Sequence, residues 1–274
     1  MTTLSMHADL ERRFGGLERL YGVPGAAAIR AAHVAVVGIG GVGSWAVEAL
    51  ARSGVGRITL VDFDQVAESN INRQIHAETD TVGMAKVDAM AQRIARINPQ
   101  CVVHKTEEFA TPENWAGMVA ATVPFNAVVD ACDQVKTKTA MAVWARAQKT
   151  CLYITAGAAG GKRLAHLVDI ADLCETTHDP LLAKLRYNLR RAHGAPPGAS
   201  KGADKGKKIG ITCVFSREAV AGPDASCAIE GGAQGGADSS LNCHGYGSVV
   251  SVTASFGMCA VGWVLDALAK RVAP

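Results

Sequence analysis

Four glycines lie between an apolar run and an amphipathic stretch near the start of the chain. Residues 38–43 have the sequence GIGGVG, preceded by the apolar run 33–37 and followed by residues with helical apolar spacing. Glycine permits a tight turn and lets helix N-terminal amides approach phosphate oxygens closely. This order of strand, turn and helix predicts a Rossmann-like fold with a phosphate site. The glycines predicted to bind the phosphates are Gly38, Gly40, Gly41 and Gly43.

Apolar strands and amphipathic helices alternate along most of the chain. This alternation predicts an α/β fold with a doubly wound, mostly parallel sheet and helices on both faces. Strands are predicted at 33–38, 57–61, 102–104, 125–129, 151–155 and 164–168, and helices at 42–53, 83–97, 136–148 and 180–192.

We expect one domain over residues 1–274, because this length suits one large α/β domain or a domain with a smaller lobe. Within it, 1–32 should form small helices outside the sheet, and 33–160 the nucleotide-binding core. Residues 161–274 should form a smaller, substrate-facing region with a C-terminal helix. That region includes the basic loop 193–208, which we expect to be mobile because it has almost nothing to bury.

Asp62 ends the second predicted strand, where a carboxylate can accept hydrogen bonds from ribose hydroxyls. Together with the glycine turn, it indicates an adenine nucleotide. These two features do not separate an NAD(P)-dependent oxidoreductase from an ATP-dependent enzyme. Both ligands present a phosphate and an adenosine ribose to the same turn.

Polar residues after the second strand distinguish these alternatives. Asn70 and Arg73 lie in the polar segment NINRQ, and Lys86 lies at the start of the next helix. Fixed cations can hold a triphosphate or a departing pyrophosphate. Asp130 ends the fourth core strand, where a carboxylate can hold Mg2+ on phosphate oxygens. Hydride transfer requires none of Arg73, Lys86 and Asp130, so this set favours ATP with Mg2+.

The run GIGGVGSWAVEALARSGVGRITLVDFDQVAESNINRQ resembles the adenylating core of the ThiF/MoeB/HesA family, and the likeness continues to about Gly157. The resemblance implies a homodimer in which an N-terminal arginine reaches the partner's site. Arg13 and Arg19 are the candidates for that arginine. It also implies that ATP is bound by Gly41, Asp62, Asn70, Arg73 and Lys86, that Arg73, Lys86 and Asp130 are catalytic, and that Asp130 holds Mg2+ with Asp133 as a second acid.

Motifs outside this core resemble one branch of the family, the tRNA threonylcarbamoyladenosine dehydratases. The resemblance implies a ligase-like enzyme that adenylates the threonine carboxylate of threonylcarbamoyladenosine in tRNA and closes it into a ring. The alternative is adenylation of the C-terminus of a ubiquitin-like sulfur carrier. A non-enzymatic nucleotide sensor would leave the polar set unexplained. The motifs are RFGGLERLYG at 13–22, NRQIHA at 72–77, HDPLLAKLR at 178–186, CVFS at 213–216 and GYGS at 245–248.

The eight cysteines include no pair separated by only two residues. Structural zinc sites use such pairs, so we predict no structural zinc. The sulfur-carrier activators that the chain resembles usually have two CxxC pairs, which counts against that alternative. Cys243 lies in a polar loop beside glycine, and it could form a thioester in this or a related sulfur-transfer reaction or be a structural or incidental thiol. Sulfur-transfer proteins are candidate partners.

Residues 184–208 contain eight basic residues and one aspartate, in a chain whose net charge is only +3. Such an asymmetry suits the phosphates of tRNA, although a solvated helix and loop would also explain it. We predict that the segment binds tRNA through phosphates, with contacts from Lys201, Lys205, Lys207 and Lys208.

Residues 239–265 form an uncharged run long enough to span a bilayer. Its polar residues and four glycines favour a buried or dimer-interface helix instead, so we do not expect a membrane partner. The first ten residues lack the apolar region of a secretory signal. We therefore expect a cytoplasmic protein.

Overall fold

A computed structural model of the chain describes residues 8–198, 207–224 and 246–271. The predicted loops that contain Lys201, Lys205 and Cys243 lie outside these ranges. The strands are β1 (His33–Val37), β2 (Arg57–Val61), β3 (Val102–Thr106), β4 (Ala127–Asp130), β5 (Leu152–Ala156), β6 (Val168–Asp172) and β7 (Thr212–Ser216). The α-helices are α1 (Leu10–Phe14), α2 (Gly16–Ala31), α3 (Gly43–Arg52), α4 (Lys86–Ile97), α5 (Trp115–Ala120), α6 (Val135–Ala147), α7 (Pro180–Ala192) and α8 (Val250–Lys270).

The seven strands form one sheet in the order β3-β2-β1-β4-β5-β7-β6. All pairings are parallel except that of β6 with β7. The doubly wound, mostly parallel sheet predicted from the sequence is confirmed. The chain order reverses between β1 and β4, so the connections that follow these strands leave toward opposite faces. That divergence opens a crevice at the carboxyl ends of the strands.

Two apolar cores lie on the two faces of the sheet, because side chains alternate along each strand. Val34 and Val36 pack with residues of α2, α3, α4 and α8. Ala35 and Val37 face the other way and pack with residues of α5, α6 and α7. Helices therefore cover both faces, which explains why the central strands are apolar along their whole length.

The C-terminal apolar run forms α8, a buried helix as one of the two sequence interpretations predicted. It is long and apolar enough to cross a membrane, with a mean hydropathy of 1.5, but 56% of that window is buried within the fold. Val252, Phe256 and Val264 belong to the core on its face of the sheet. A mostly buried core helix passes the same test of length and composition as a membrane span.

The sequence prediction was wrong or incomplete at the edge of the sheet. Residues 164–168 were predicted as a strand, but Ala165–Leu167 form a 3-10 turn and β6 begins only at Val168. Neither α5 nor β7 was predicted. β6 and β7 pair with each other, with Asp169 opposite Phe215, so the strand boundary depends on a partner distant in the chain.

Candidate active site

A cavity of about 340 Å³ lies in the crevice at the carboxyl ends of the strands. The glycine turn after β1 and the loop after β4 form two of its walls. The segment that contains Asn70 and Arg73 contributes, as do the start of α4 and the residues after β5. The structure thus brings together segments that the sequence predicted separately.

The glycines of the turn have two different roles. Gly38 has a φ of 86°, and a Cβ there would lie 2.9 Å from the backbone of Ala131 and Cys132. A Cβ on Gly43 would overlap the carbonyl oxygen of Gly38. These two positions need glycine because the backbone itself is close. Gly38, Gly40 and Gly41 line the cavity, whereas Gly43 begins α3 and is not part of the lining.

Asp62 joins the glycine turn to the end of β2. Its carboxylate accepts hydrogen bonds from the amides of Ile39, at 2.5 Å, and Asp64, at 2.8 Å. Burial raises the pKa of Asp62, although the nearby Lys86 and the two amides oppose this shift. Asp62 lines the cavity, as its predicted contact with a ribose requires. The structure adds a second role, which is to hold the turn in place.

Arg73, Lys86 and Asn70 all face the same cavity. The main-chain carbonyl of Arg73 accepts hydrogen bonds from Trp45 of α3, at 3.0 Å, and Thr253 of α8, at 3.3 Å. The backbone of Arg73 is therefore fixed by two core helices. Burial lowers the pKa of its guanidinium. Desolvation disfavours the charged form, so an anion bound beside Arg73 would relieve this effect.

Lys86 is the first residue of α4, and its side chain is only 7% exposed. Its Nζ lies 2.7 Å from Oδ2 of Asp64, whose side chain is 52% exposed. Both residues line the cavity. A buried ammonium held by one exposed carboxylate can still donate to a phosphate oxygen, because Lys has three donors.

The structure differs from the sequence-based expectation for Asp130. Its carboxylate is fully buried and does not line the cavity. Oδ2 accepts hydrogen bonds from the hydroxyls of Tyr153 and Thr155, both at 2.7 Å. Oδ1 lies 2.9 Å from Nζ of Lys138 and accepts from the amide of Cys132 at 3.1 Å. Because four donors already occupy this carboxylate, the predicted role of Asp130 in holding Mg2+ does not fit the structure.

The side chains around Asp130 form a buried polar network. Burial alone would lower the pKa of Lys138, but the adjacent Asp130 carboxylate raises it above its ordinary value. Burial and the same carboxylate raise the pKa of Tyr153. The network therefore contains a lysine that stays charged and a tyrosine that stays neutral, which is the arrangement that satisfies each donor and acceptor.

Asp133, the second acid considered from the sequence, does line the cavity. It is half-buried, and its carboxylate accepts no hydrogen bond from any residue within the described ranges. Carboxylate oxygens are the ligands that Mg2+ prefers in proteins. Of the two acids at the carboxyl end of β4, Asp133 therefore has the position and the free oxygens that the predicted metal would need. Across those same ranges, no cluster of three or more His, Cys, Asp or Glu side chains forms a ready-made metal site.

Several cavity residues were missed by the sequence analysis. Glu108 and Phe109 follow β3, so the rule that ligands bind at the carboxyl ends of strands could have predicted them. Phe63 and Phe109 are both exposed, and their ring centroids lie 5.3 Å apart. Thr253 belongs to α8, far along the chain, and no local pattern places it beside Arg73.

The wall formed by residues 156–160 is attached to α7 through Asp179. One carboxylate oxygen accepts from the amide of Ala158 at 2.8 Å, and the other caps α7 by accepting from the amide of Leu182 at 2.9 Å. Pro180 and Leu181 line the cavity. The N-terminus of the basic helix is therefore part of the site.

The remaining predicted residues lie away from the cavity or outside the described ranges. Arg13 donates to the carbonyl of Ile97, 2.7 Å away at the end of α4, and Arg19 is exposed on α2. Lys207 and Lys208 are exposed before β7. Among the described residues no two cysteines form a disulfide, and burial raises the pKa of Cys132, the thiol that lines the cavity.

The fold and this cavity define a nucleotide-binding α/β protein with two cations at the glycine turn. A sequence model of the ThiF family matches residues 15–273, and the chain belongs to this family. The tRNA threonylcarbamoyladenosine dehydratase of Escherichia coli (strain K12) is 44% identical over 266 residues, which cover 96% of this chain and 95% of the relative. The protein of that name from Haemophilus influenzae is 39% identical over 272 residues, covering 99% and 98%. The crystal structure of the E. coli dehydratase in complex with ATP matches with a TM-score of 0.81, 41% sequence identity, and coverage of 96% and 97%.

Proposed function

We propose that this chain catalyses the ATP-dependent dehydration of threonylcarbamoyladenosine in tRNA through adenylation of the threonine carboxylate. The observation that carries the proposal is one cavity that joins the glycine turn, Arg73, Lys86 and Asp133. The nearly full-length similarity to dehydratases of that name supports the choice of substrate. The ATP complex of the E. coli enzyme supports the choice of nucleotide.

The proposed chemistry explains why two cations are needed. A carboxylate reacts poorly with a nucleophile because its leaving group would be oxide. Attack of the carboxylate oxygen on the α-phosphate of ATP releases pyrophosphate and leaves AMP attached as a competent leaving group. Arg73 and Lys86, which both line the cavity, would stabilise the charge that develops on the phosphates during this step.

We assign the metal to Asp133 rather than Asp130, because only Asp133 has free carboxylate oxygens at the cavity. When bound there, Mg2+ would neutralise charge on the phosphate oxygens. Asp130 and Lys138 instead position the loop 131–134 from the protein interior, since Asp130 accepts a hydrogen bond from the amide of Cys132.

The ends of the nucleotide can be assigned from the lining. Asp62 would accept hydrogen bonds from the ribose hydroxyls, and the exposed ring of Phe109 in the same cavity would offer an apolar surface to adenine. The turn at Gly40 and Gly41, which lines the cavity just before α3, is the proposed contact for the phosphates. These assignments put the α-phosphate near Gly40 and Gly41, where no side chain of the turn obstructs it.

Ring closure follows adenylation. A ureido nitrogen of the same substituent attacks the activated carbonyl, and AMP departs. Well-oriented intramolecular closures reach effective molarities of about 10⁵ M or more, so the step requires no enzymic nucleophile. Cys243 could still act as a thiol in a sulfur-transfer reaction with partner proteins, but it lies outside the described ranges.

The proposed activity also implies an oligomeric state, a location and a surface for tRNA. The protein would act as a homodimer in the cytoplasm, where its tRNA substrate is found. Arg19 is the better candidate for a residue that crosses to the partner, because Arg13 is held by Ile97 of its own chain. Lys207 and Lys208, with Lys201 and Lys205, would contact tRNA phosphates.

The test is mass spectrometry of nucleosides from threonylcarbamoyl-modified tRNA incubated with the protein and ATP. We expect the modified adenosine to lose the mass of one water molecule, with AMP and pyrophosphate formed in equal amounts. AMP formation that instead depends on a ubiquitin-like carrier protein would support the alternative activity. Retention of the open form of the nucleoside, with no AMP formed, would rule out the proposed reaction.

A further inference from the structure

The exposed face of α7 carries an aromatic ring between two cations. Leu181, Leu182, Leu185 and Leu189 form the buried face of the helix. On the opposite side, Lys184, Tyr187 and Arg191 follow one another at helical spacing, and all three are exposed. We call these three residues the α7 stripe.

The three side chains of the α7 stripe lie close to one another. The Nζ of Lys184 lies 5.5 Å from the centre of the Tyr187 ring, and the Cζ of Arg191 lies 5.8 Å from it. Arg191 also donates to the tyrosine hydroxyl at 3.1 Å. Two long cationic side chains thus lie near the ring of Tyr187, while 51% of the residue stays exposed.

Helix stability alone does not account for this arrangement. The helix dipole favours Arg191, which lies in the last turn, but it gives no advantage to Lys184 in the N-terminal half. In the described part of the chain, neither cation forms an ion pair with a carboxylate, and α7 contains no acidic residue. The stripe therefore carries uncompensated positive charge beside an exposed ring.

The stripe is attached to the active site. Asp179 fixes the start of α7 to the cavity wall, and Leu181 lines the cavity itself. Tyr187 is six residues beyond Leu181, which corresponds to about 9 Å along a helix axis. A nucleotide next to the one bound in the cavity could therefore reach Tyr187. Contact with this ring does not require a distant region of the tRNA.

We infer that the α7 stripe binds unpaired nucleotides of the tRNA next to the modified adenosine, with a base stacked on Tyr187 and phosphates at Lys184 and Arg191. This inference rests on the proposed function. Exposed aromatic rings flanked by cations are the usual platform for single-stranded nucleic acid, because every base has a face that can stack. A double helix would offer its phosphates to the cations but no free base to the ring.

The test compares two probes, a labelled RNA stem-loop of the anticodon arm and a fully paired RNA duplex of equal length. Fluorescence anisotropy gives the Kd of each at several salt concentrations. Tyr187→Ala should weaken stem-loop binding on the order of 10-fold and leave duplex binding unchanged. Tyr187→Phe should bind the stem-loop as the unmodified protein does, since it keeps the ring.

The cations are tested with Lys184→Gln/Arg191→Gln. This variant should weaken stem-loop binding and reduce the slope of log K against log salt by about 0.7 for each phosphate that the protein no longer neutralises. The matched control is Arg12→Gln/Arg96→Gln, which removes two exposed cations from α1 and α4, and α4 packs on the face of the sheet opposite to α7. We expect the control to bind as the unmodified protein does.

The outcomes separate this inference from the proposed function. If the unmodified protein forms the cyclic nucleoside but Tyr187→Ala binds the stem-loop with unchanged affinity, the stacking surface is wrong and the function stands. Equally weakened binding in Tyr187→Ala and Tyr187→Phe would assign the effect to the hydroxyl contact with Arg191 and overturn stacking. If no cyclic nucleoside forms, the proposed function fails, and stem-loop binding still tests the surface. Thermal unfolding and ATP binding confirm that each variant is folded.

Discussion

Lys138 and Asp130 form an ion pair of 2.9 Å in which both side chains are fully buried beneath the nucleotide cavity. Tyr153 and Thr155 complete the hydrogen bonds of the carboxylate, and the amide of Cys132 connects it to the loop after β4. An isolated charge at this depth would be costly, so each member of the pair depends on the other.

We expect Lys138→Met or Asp130→Leu alone to lower the free energy of unfolding by roughly 3–5 kcal/mol, because each leaves a buried charge without its partner. The double variant should be destabilised by clearly less than the sum, since both charges are then absent. Urea unfolding of the three variants measures this. Lys105→Met is the control, because its ion pair with Asp88 is about half exposed and should contribute only ~0–1 kcal/mol. Additive destabilisation in the double variant would contradict the proposed dependence.

Asp133→Asn should lower the rate of AMP formation by about 100-fold or more, because it removes a charged ligand from the phosphate end of the cavity. Higher Mg2+ concentration should restore part of the rate. The free energy of unfolding should change by less than about 0.5 kcal/mol, since the carboxylate has no partner in the described ranges. Asp80→Asn, at an exposed position away from the cavity, is the control. A normal Mg2+ dependence in Asp133→Asn would remove Asp133 from the site.

Arg73→Ala and Lys86→Met should each reduce AMP formation by about 10²–10³-fold, the usual effect of removing one donor to developing charge. Arg73→Lys should recover only part of the rate, because an ammonium lacks the planar fork of the guanidinium. Steady-state AMP release measures these effects, with thermal unfolding to check the fold. Arg96→Gln, an exposed cation on the same helix as Lys86, should behave as the unmodified protein. If either site variant keeps full turnover, that cation does not contact the phosphates.

His76 makes the stability of the fold depend on pH. Burial, together with the nearby Lys86 and Arg93, lowers its pKa to about 4. Between this value and the ordinary 6.5, the unfolded chain binds a proton that the folded chain does not. The contribution of the neutral His76 to the free energy of unfolding is therefore fully present above pH 6.5, and it is lost as the pH falls toward 4.

The contribution of His76 to the free energy of unfolding is at most roughly 3–4 kcal/mol. Urea unfolding at pH values between ~7 and ~5 should show a declining free energy of unfolding, and His76→Leu should show a shallower decline. His33, whose pKa burial also lowers to about 4, should account for part of the remaining slope. An unchanged slope in His76→Leu would show that His76 does not stay neutral in the folded protein.

Gly257 allows α8 to approach the start of α3. A Cβ at this position would lie 2.6 Å from the carbonyl oxygen of Val42 and 2.7 Å from the amide nitrogen of Ala46. Gly257→Ala should therefore lower the free energy of unfolding by about 1–3 kcal/mol and weaken ATP binding, because Val42 lines the cavity.

Gly262→Ala on the same helix is the matched control. A Cβ there meets nothing within 4 Å, and alanine is the better helix former, so this change should stabilise by up to about 1 kcal/mol. Denaturant unfolding and ATP titration of both variants measure the contrast. Similar effects at the two positions would show that the contact between α8 and α3 is unimportant.

Short-range patterns in the sequence determined most of the fold. The boundaries of β2 and α7 were predicted without error, since apolar spacing, a Pro at the helix start and an Asp cap are all local signals. The cavity positions of the glycine turn, Asp62 and Lys86 were also predictable, because each adjoins the end of a strand or the start of a helix.

Tertiary structure decided which polar groups at the carboxyl edge of the sheet are available to bind a ligand. Asp130 and Asp133 are three residues apart, and no local pattern separates them. Asp130 is occupied because Tyr153, Thr155 and Lys138 come from β5 and α6 and meet it in the interior, whereas Asp133 is left at the cavity. Likewise, β6 and β7 form through pairing with each other, and Thr253 contacts Arg73 only because α8 packs on α3. A carboxylate binds a ligand or satisfies a buried network according to which donors surround it, and those donors are brought together only when distant segments pack.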